Sequence, residues 1–85
     1  MTDRASRNRV ICRDRGVPDG WVIVAVYHNL ACSGEGDNAL VIKRPGRRDV
    51  VWSESPIPDG YSVTKPTHSK HFPGDGENAL VIESE

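Results

Sequence analysis

No apolar run in this sequence approaches the roughly 20 residues that a membrane-spanning helix needs. Aromatic side chains are scarce, with Trp21, Tyr27, Trp52, Tyr61 and Phe72 the full set in 85 residues. A chain of this length buries roughly 60–65% of its unfolded surface, which leaves little room for a deep catalytic cleft. No segment repeats apolar residues at the 3.6-residue period of an amphipathic helix. Met1 to Arg9 holds no apolar segment of the kind a secretory signal requires, and the expected location is cytoplasmic. His28, His68 and His71 fall into no recognised zinc spacing. Nothing places a nucleophile, a base and an orienting group together, so the expectation is a protein that is not an enzyme.

What the chain does have is a copy of itself. Residues 10–45 align without a gap on residues 50–85, with identity at 12 of 36 positions. Pro18-Asp19-Gly20 returns as Pro58-Asp59-Gly60, His28 as His68, and Gly34 and Gly36 as Gly74 and Gly76. The longest shared run, Asn38-Ala39-Leu40-Val41-Ile42, returns as Asn78-Ala79-Leu80-Val81-Ile82. One unit of this size cannot bury its own apolar face, whereas two packed together can. The expected organisation is a single domain over 1–85, with a mobile segment over 1–8, repeat 1 over 9–45 and repeat 2 over 46–85.

Each repeat reads as three short strands. The first is Arg9 to Arg13, matched by Asp49 to Ser53. The Pro-Asp-Gly tripeptide follows; proline fixes φ where a turn needs it and glycine accepts positive φ, so a turn is expected there. The strand before that turn is predicted to form a hairpin with the strand after it, Trp21 to His28 or Tyr61 to His68. A third strand is expected over Asn38–Lys43 and Asn78–Glu83. In the second strand, period-2 alternation places Trp21/Tyr61 and Ile23/Val63 toward the core. Val22, Val24 and Val26 then form an apolar stripe on the other face. It is either covered by the other repeat or open to a weak homodimer contact. Pro66 has no N–H for a ladder, so its strand should end early, bulge or lie at an edge. The predicted fold is all-β: two tandem pseudo-symmetric three-stranded antiparallel units in one small sandwich- or barrel-like domain, related by a pseudo-two-fold. The predicted core is Val10, Cys12, Trp21, Ile23, Cys32, Ala39, Val41, Val50, Trp52, Tyr61, Val63, Phe72, Ala79 and Val81.

Charge is unevenly divided. Residues 1–50 carry a formal +3 and residues 51–85 a formal −4, within a net charge of −1. The two halves are complementary, and the acidic second half with so few aromatics argues against nucleic acid as a partner. A protein or a glycan is the expected ligand class.

Cys12 and Cys32 both lie in repeat 1, and their equivalents in repeat 2 are Trp52 and Phe72. Both members of the pair differ together, which predicts that the two positions touch in each repeat. In repeat 1 the contact is a disulfide or a packed thiol pair, and in repeat 2 an aromatic pair.

The candidate ligand surface is the twinned loop that precedes each third strand. Ser33-Gly34-Glu35-Gly36-Asp37-Asn38 and Pro73-Gly74-Asp75-Gly76-Glu77-Asn78 alternate glycine with carboxylate and end in asparagine. Carboxylates, amide oxygens and carbonyls turned inward at glycines are the donors that calcium takes. Glu35, Asp37, Asp75 and Glu77 are therefore calcium candidates. His28, Asn38, His68 and Asn78 join them as candidate ligand-binding residues. The competing reading is structural: glycines for positive φ, asparagines to cap the turn, and histidines bonded to the loop.

In its plan of two 40-residue β motifs the chain resembles a βγ-crystallin domain. That family holds calcium through an Asn/Asp-Asn/Asp-x-x-Ser/Thr-Ser motif. The resemblance implies paired Greek keys and calcium at Asp37-Asn38-Ala39-Leu40-Val41-Ile42 and Glu77-Asn78-Ala79-Leu80-Val81-Ile82. Val41 and Val81 stand where that motif has its hydroxyl ligand, and they cannot coordinate a cation.

Overall fold

The computed structural model describes residues 8–85. The expected mobile segment over 1–8 lies outside them, Asn8 excepted. Six strands follow in order: β1 (Arg9–Cys12), β2 (Val22–Tyr27), β3 (Ala39–Lys43), β4 (Arg48–Trp52), β5 (Tyr61–Thr67) and β6 (Ala79–Ser84). One 3₁₀ turn, Arg13–Arg15, is the sole helical element among the described residues. The all-β expectation holds, with one three-stranded antiparallel sheet per repeat.

The order within each sheet is β1-β3-β2 and β4-β6-β5. This corrects the expected first hairpin. β1 and β2 do not pair with each other; both pair antiparallel with β3, which lies between them. The shared run Ala39-Leu40-Val41-Ile42 explains why. It has a strong β-branched and apolar content and carries no charge, so it takes the central position, with ladder bonds on both edges. Among the described residues no strand crosses between repeats. With three strands per repeat, each confined to its own sheet, neither repeat forms the four-stranded Greek key that the crystallin resemblance implies.

A β-bulge interrupts the second strand of each repeat at the same place, between Ile23 and Ala25 and between Val63 and Lys65. A bulge adds one residue and reverses the alternation beyond it. Ile23 and Val26, three apart, therefore share one face and one core cluster, with Leu40 and Ile42 across the ladder. Trp52, Phe72 and Ala79 of repeat 2 complete that cluster. A second cluster gathers Val22, Val51 and Ile82. Pro66 lies in an edge strand beyond a bulge, two of the three situations its missing N–H allows.

The predicted core needs correction. Val10, Val50 and Val63 are 52%, 42% and 47% exposed. Cys12, Trp21, Cys32 and Tyr61 are only partly buried, as is Val41. Val22, Val26, Leu40, Ile42, Val51 and Ile82 are buried instead. The bulge accounts for Val26, Val22 is buried because both faces of β2 are covered, and Leu40 and Ile42, not Val41, face the other repeat. Each fully buried Val or Ile contributes about 1.5–3 kcal/mol.

The bulge divides the expected stripe: Val22 and Val24 belong to one cluster and Val26 to the other, and Val22 and Val26 are buried with residues of repeat 2. The contact between repeats is also not two-fold. β2 of repeat 1 is largely buried, whereas its equivalent, β5, has no fully buried residue.

Candidate functional site

β2 and β5 run between two poles. At one pole lie the Pro-Asp-Gly turns that precede them, and at the other the glycine-acidic loops that follow. The full length of β2 separates the two poles of repeat 1, so the turns and the loops are distinct surfaces.

At the loop pole both copies are built alike. Asn38 is 5% exposed; its Oδ1 accepts the Asn29 N–H at 2.7 Å, and its Nδ2 faces the carbonyls of Asn29, Cys32 and Gly34 at 3.0–3.1 Å. Asn78 is 6% exposed and repeats the pattern with the Ser69 N–H and the carbonyls of Ser69, Phe72, Pro73 and Gly74. Gly34 and Gly36 have φ of 99° and 71°, and Gly74 and Gly76 have 102° and 75°. A Cβ at any of the four would meet nothing within 4 Å, so glycine is required for the backbone conformation and not for space. His28 and His68 each place Nδ1 2.5 Å from a glycine carbonyl, of Gly36 and Gly76. A carbonyl only accepts, so each ring donates through Nδ1–H.

These contacts bring together His28 with Gly36, and Asn38 with the turns before it, and likewise in repeat 2. They do not gather the carboxylates. Glu35, Asp75 and Glu77 are exposed and Asp37 is half-buried. Among the described residues, no three His, Cys, Asp or Glu side chains converge as a metal site. The inward-turned carbonyls, read from sequence as calcium donors, are occupied by the Asn38 and Asn78 amides.

The cysteine expectation resolves at the same pole. Cys12 and Cys32 form a disulfide, with Cα atoms 5.5 Å apart. Trp52 and Phe72 occupy the equivalent positions as stacked rings, centroids 6.4 Å apart and planes 16° from parallel. The Arg13 guanidinium lies 5.0 Å from the Trp52 ring and bridges to Glu54 across the repeats.

At the opposite pole the two turns enclose a cleft of about 540 Å³. Val17, Pro18, Asp19, Gly20 and Trp21 line it from repeat 1, and Pro56, Ile57, Pro58 and Asp59 from repeat 2. Three prolines with fixed φ make the walls stiff. Asp19 and Asp59 are exposed at its rim. Trp21 is half-buried, and the guanidinium groups of Arg9 and Arg44 lie 5.2 and 5.7 Å from its ring, within cation–π range. Ile57 and Trp21 also pack against the two core clusters, which ties the cleft floor to the sheets. In the sequence, Pro-Asp-Gly reads as turn chemistry alone. Its identity in both copies was the available signal; that the two turns meet was not legible without the packing of the repeats.

Comparison with known proteins returns no match to any family model, to any curated protein or to any solved structure. No helix among the described residues is long and apolar enough to cross a membrane.

Proposed function

We propose that this chain is a non-enzymatic binding module whose ligand surface is the cleft between the Pro-Asp-Gly turns, and that its ligand is a neutral glycan chain. The observation that carries the reading is the composition of that rim. Asp19 and Asp59 line the cleft with Trp21 and a wall of Pro18, Ile57 and Pro58, and the guanidinium groups of Arg9 and Arg44 lie over the Trp21 ring. The charged groups that line the cleft are two carboxylates, which disfavour an anionic ligand. A sugar hydroxyl both donates and accepts, so it pairs with carboxylate and guanidinium alike. The apolar walls suit the C–H faces of the rings, and a few polar groups over an apolar floor are the general pattern of ligand sites. The twin Asp residues, one per repeat, suit a ligand that itself repeats.

Titration with neutral oligosaccharides, followed by Trp fluorescence and amide shifts, tests this. Binding should be saturable, weakly salt-dependent, and reduced at least tenfold in Trp21→Ala and in Asp19→Asn with Asp59→Asn. No response at millimolar sugar, or affinity unchanged in folded variants, overturns it. A calcium-dependent form of the module, with the metal on Glu35, Asp37, Asp75 and Glu77, would instead respond to added calcium and to a chelator at the glycine amides of both loops. The Cys12–Cys32 bond supports a working location in an oxidising compartment, in place of the cytoplasmic expectation.

A further inference from the structure

Several equivalent residues of the two repeats differ in burial, and the difference follows which side of the unit they occupy. Repeat 1 buries its β2 side: Val22 is 0% exposed, Ile23 3% and Val26 8%. The equivalents in repeat 2, Ser62, Val63 and Pro66, are exposed. On the other side the relation reverses. Trp52 and Phe72 of repeat 2 are buried at 6% each, and their repeat 1 equivalents, Cys12 and Cys32, are only partly buried. Repeat 2 thus presents its β4 side to the β2 side of repeat 1. That contact is heterologous, head to tail, and such a contact leaves one unsatisfied side at each end.

The hydrogen bonds across the contact say the same. The Val26 N–H donates to the His71 carbonyl at 3.1 Å, and the Ile23 N–H to Ser55 Oγ at 2.9 Å. Both donors lie on the outward edge of β2. On β5 the position equivalent to Val26 is Pro66, which has no N–H to give. The apolar pair Val22 and Val24 is replaced there by Ser62 and Thr64, and the Thr64 hydroxyl is turned back onto the Val81 carbonyl at 3.2 Å.

We propose that the two repeats are successive units of a head-to-tail stack, and that the outer side of β5 is the same docking face as that of β2, closed by Pro66, Ser62 and Thr64. The occupant this face would take when open is the β1 side of repeat 1 of a second copy. That side is structurally the counterpart of the β4 side already docked within the chain. It also belongs to the half with a formal +3 and β5 to the half with a formal −4, a complementarity of the halves, since β5 itself carries only Lys65. Terminal units of stacked repeats differ from internal ones because their outer face meets water, and Pro and polar residues are the usual means of closing a strand edge.

The test opens the face. Ser62→Val, Thr64→Val and Pro66→Val together restore the repeat 1 residues on β5. Wild-type protein should sediment as a monomer at all concentrations. The triple variant should gain mass with concentration, and Ile11→Lys on the β1 side of the same chain should reverse the gain. A folded triple variant that stays monomeric overturns the proposal, as does a wild-type protein that self-associates through β5. Amide exchange on the wild-type protein needs no variant. The Ile23 and Val26 amides should be protected at least a hundredfold more than the Val63 amide, the equivalent of Ile23. Equal exchange at Ile23 and Val63 overturns the head-to-tail assignment.

Discussion

The backbone N–H of Ile23 in repeat 1 is hydrogen-bonded to the side-chain oxygen of Ser55 in repeat 2, at 2.9 Å and in a buried setting. Ser55 in turn donates its hydroxyl proton to the Pro56 carbonyl at 3.0 Å. A polar residue thus sits at the seam between two apolar clusters, and it serves an edge amide that no strand reaches. Ser55→Ala removes the acceptor and leaves a buried N–H unpaired. The expected loss is about 1–3 kcal/mol of folding stability, read from urea unfolding. Ser55→Thr, which keeps the oxygen, should recover part of it. A fully stable alanine variant would mean that water reaches the seam.

Asn38 and Asn78 give a second expectation, one that separates a structural loop from a metal loop. Each side-chain amide donates into a ring of backbone carbonyls. Asn78→Asp replaces those donors with a carboxylate that faces the same carbonyls. The loss should exceed about 2 kcal/mol, because a buried charge loses its solvation, keeps only the Ser69 N–H as a partner and faces carbonyls it cannot bond. Calcium should not restore stability if the loop is purely structural. Recovery in millimolar calcium would instead reveal a latent metal site. Asn38→Asp should follow the same course, since its contacts closely match those of Asn78.

The third expectation concerns the two plugs. In repeat 1 the Cys12–Cys32 bond joins residues 20 apart in sequence. Cys12→Ser with Cys32→Ser should lower stability by about 3 kcal/mol on the chain-entropy account. In repeat 2 the same positions hold Trp52 stacked on Phe72, inside the cluster shared by both repeats. Trp52→Ala should cost about 3–5 kcal/mol through the cavity it leaves. Reduction by dithiothreitol should lower the melting temperature of the wild-type chain and leave the Cys-free variant unchanged. Equal sensitivity of the two chains would show that the thiols do not carry the effect.

How much of this was legible beforehand depended on the kind of information each feature needs. The pairing of Cys12 with Cys32 and of Trp52 with Phe72 was readable because the duplication supplies two versions of one contact. That the Pro66 strand would end early, bulge or lie at an edge was readable because a missing N–H is a local fact. The hairpin between β1 and β2 was misread, since a turn fixes chain reversal and not which strand becomes the neighbour. Val26 was misassigned because a single bulge near Val24 shifts every later side chain to the other face, and Val22, ahead of the bulge, because β2 is covered on both faces. The glycine, asparagine and histidine positions of each loop pack together, but the direction of the asparagine amides, which turns apparent cation donors into internal acceptors, was not legible.

The sequence by itself determined the units: three strands each, the turns, the positive-φ glycines and the asparagine-anchored loops, all of which depend on residues within a single repeat. Only the tertiary structure decided how the units meet. The head-to-tail contact brings Val26 to His71, Ile23 to Ser55 and one Pro-Asp-Gly turn to the other. Such a contact rests on the summed burial of weak apolar interactions over a whole surface, and neither repeat encodes it alone.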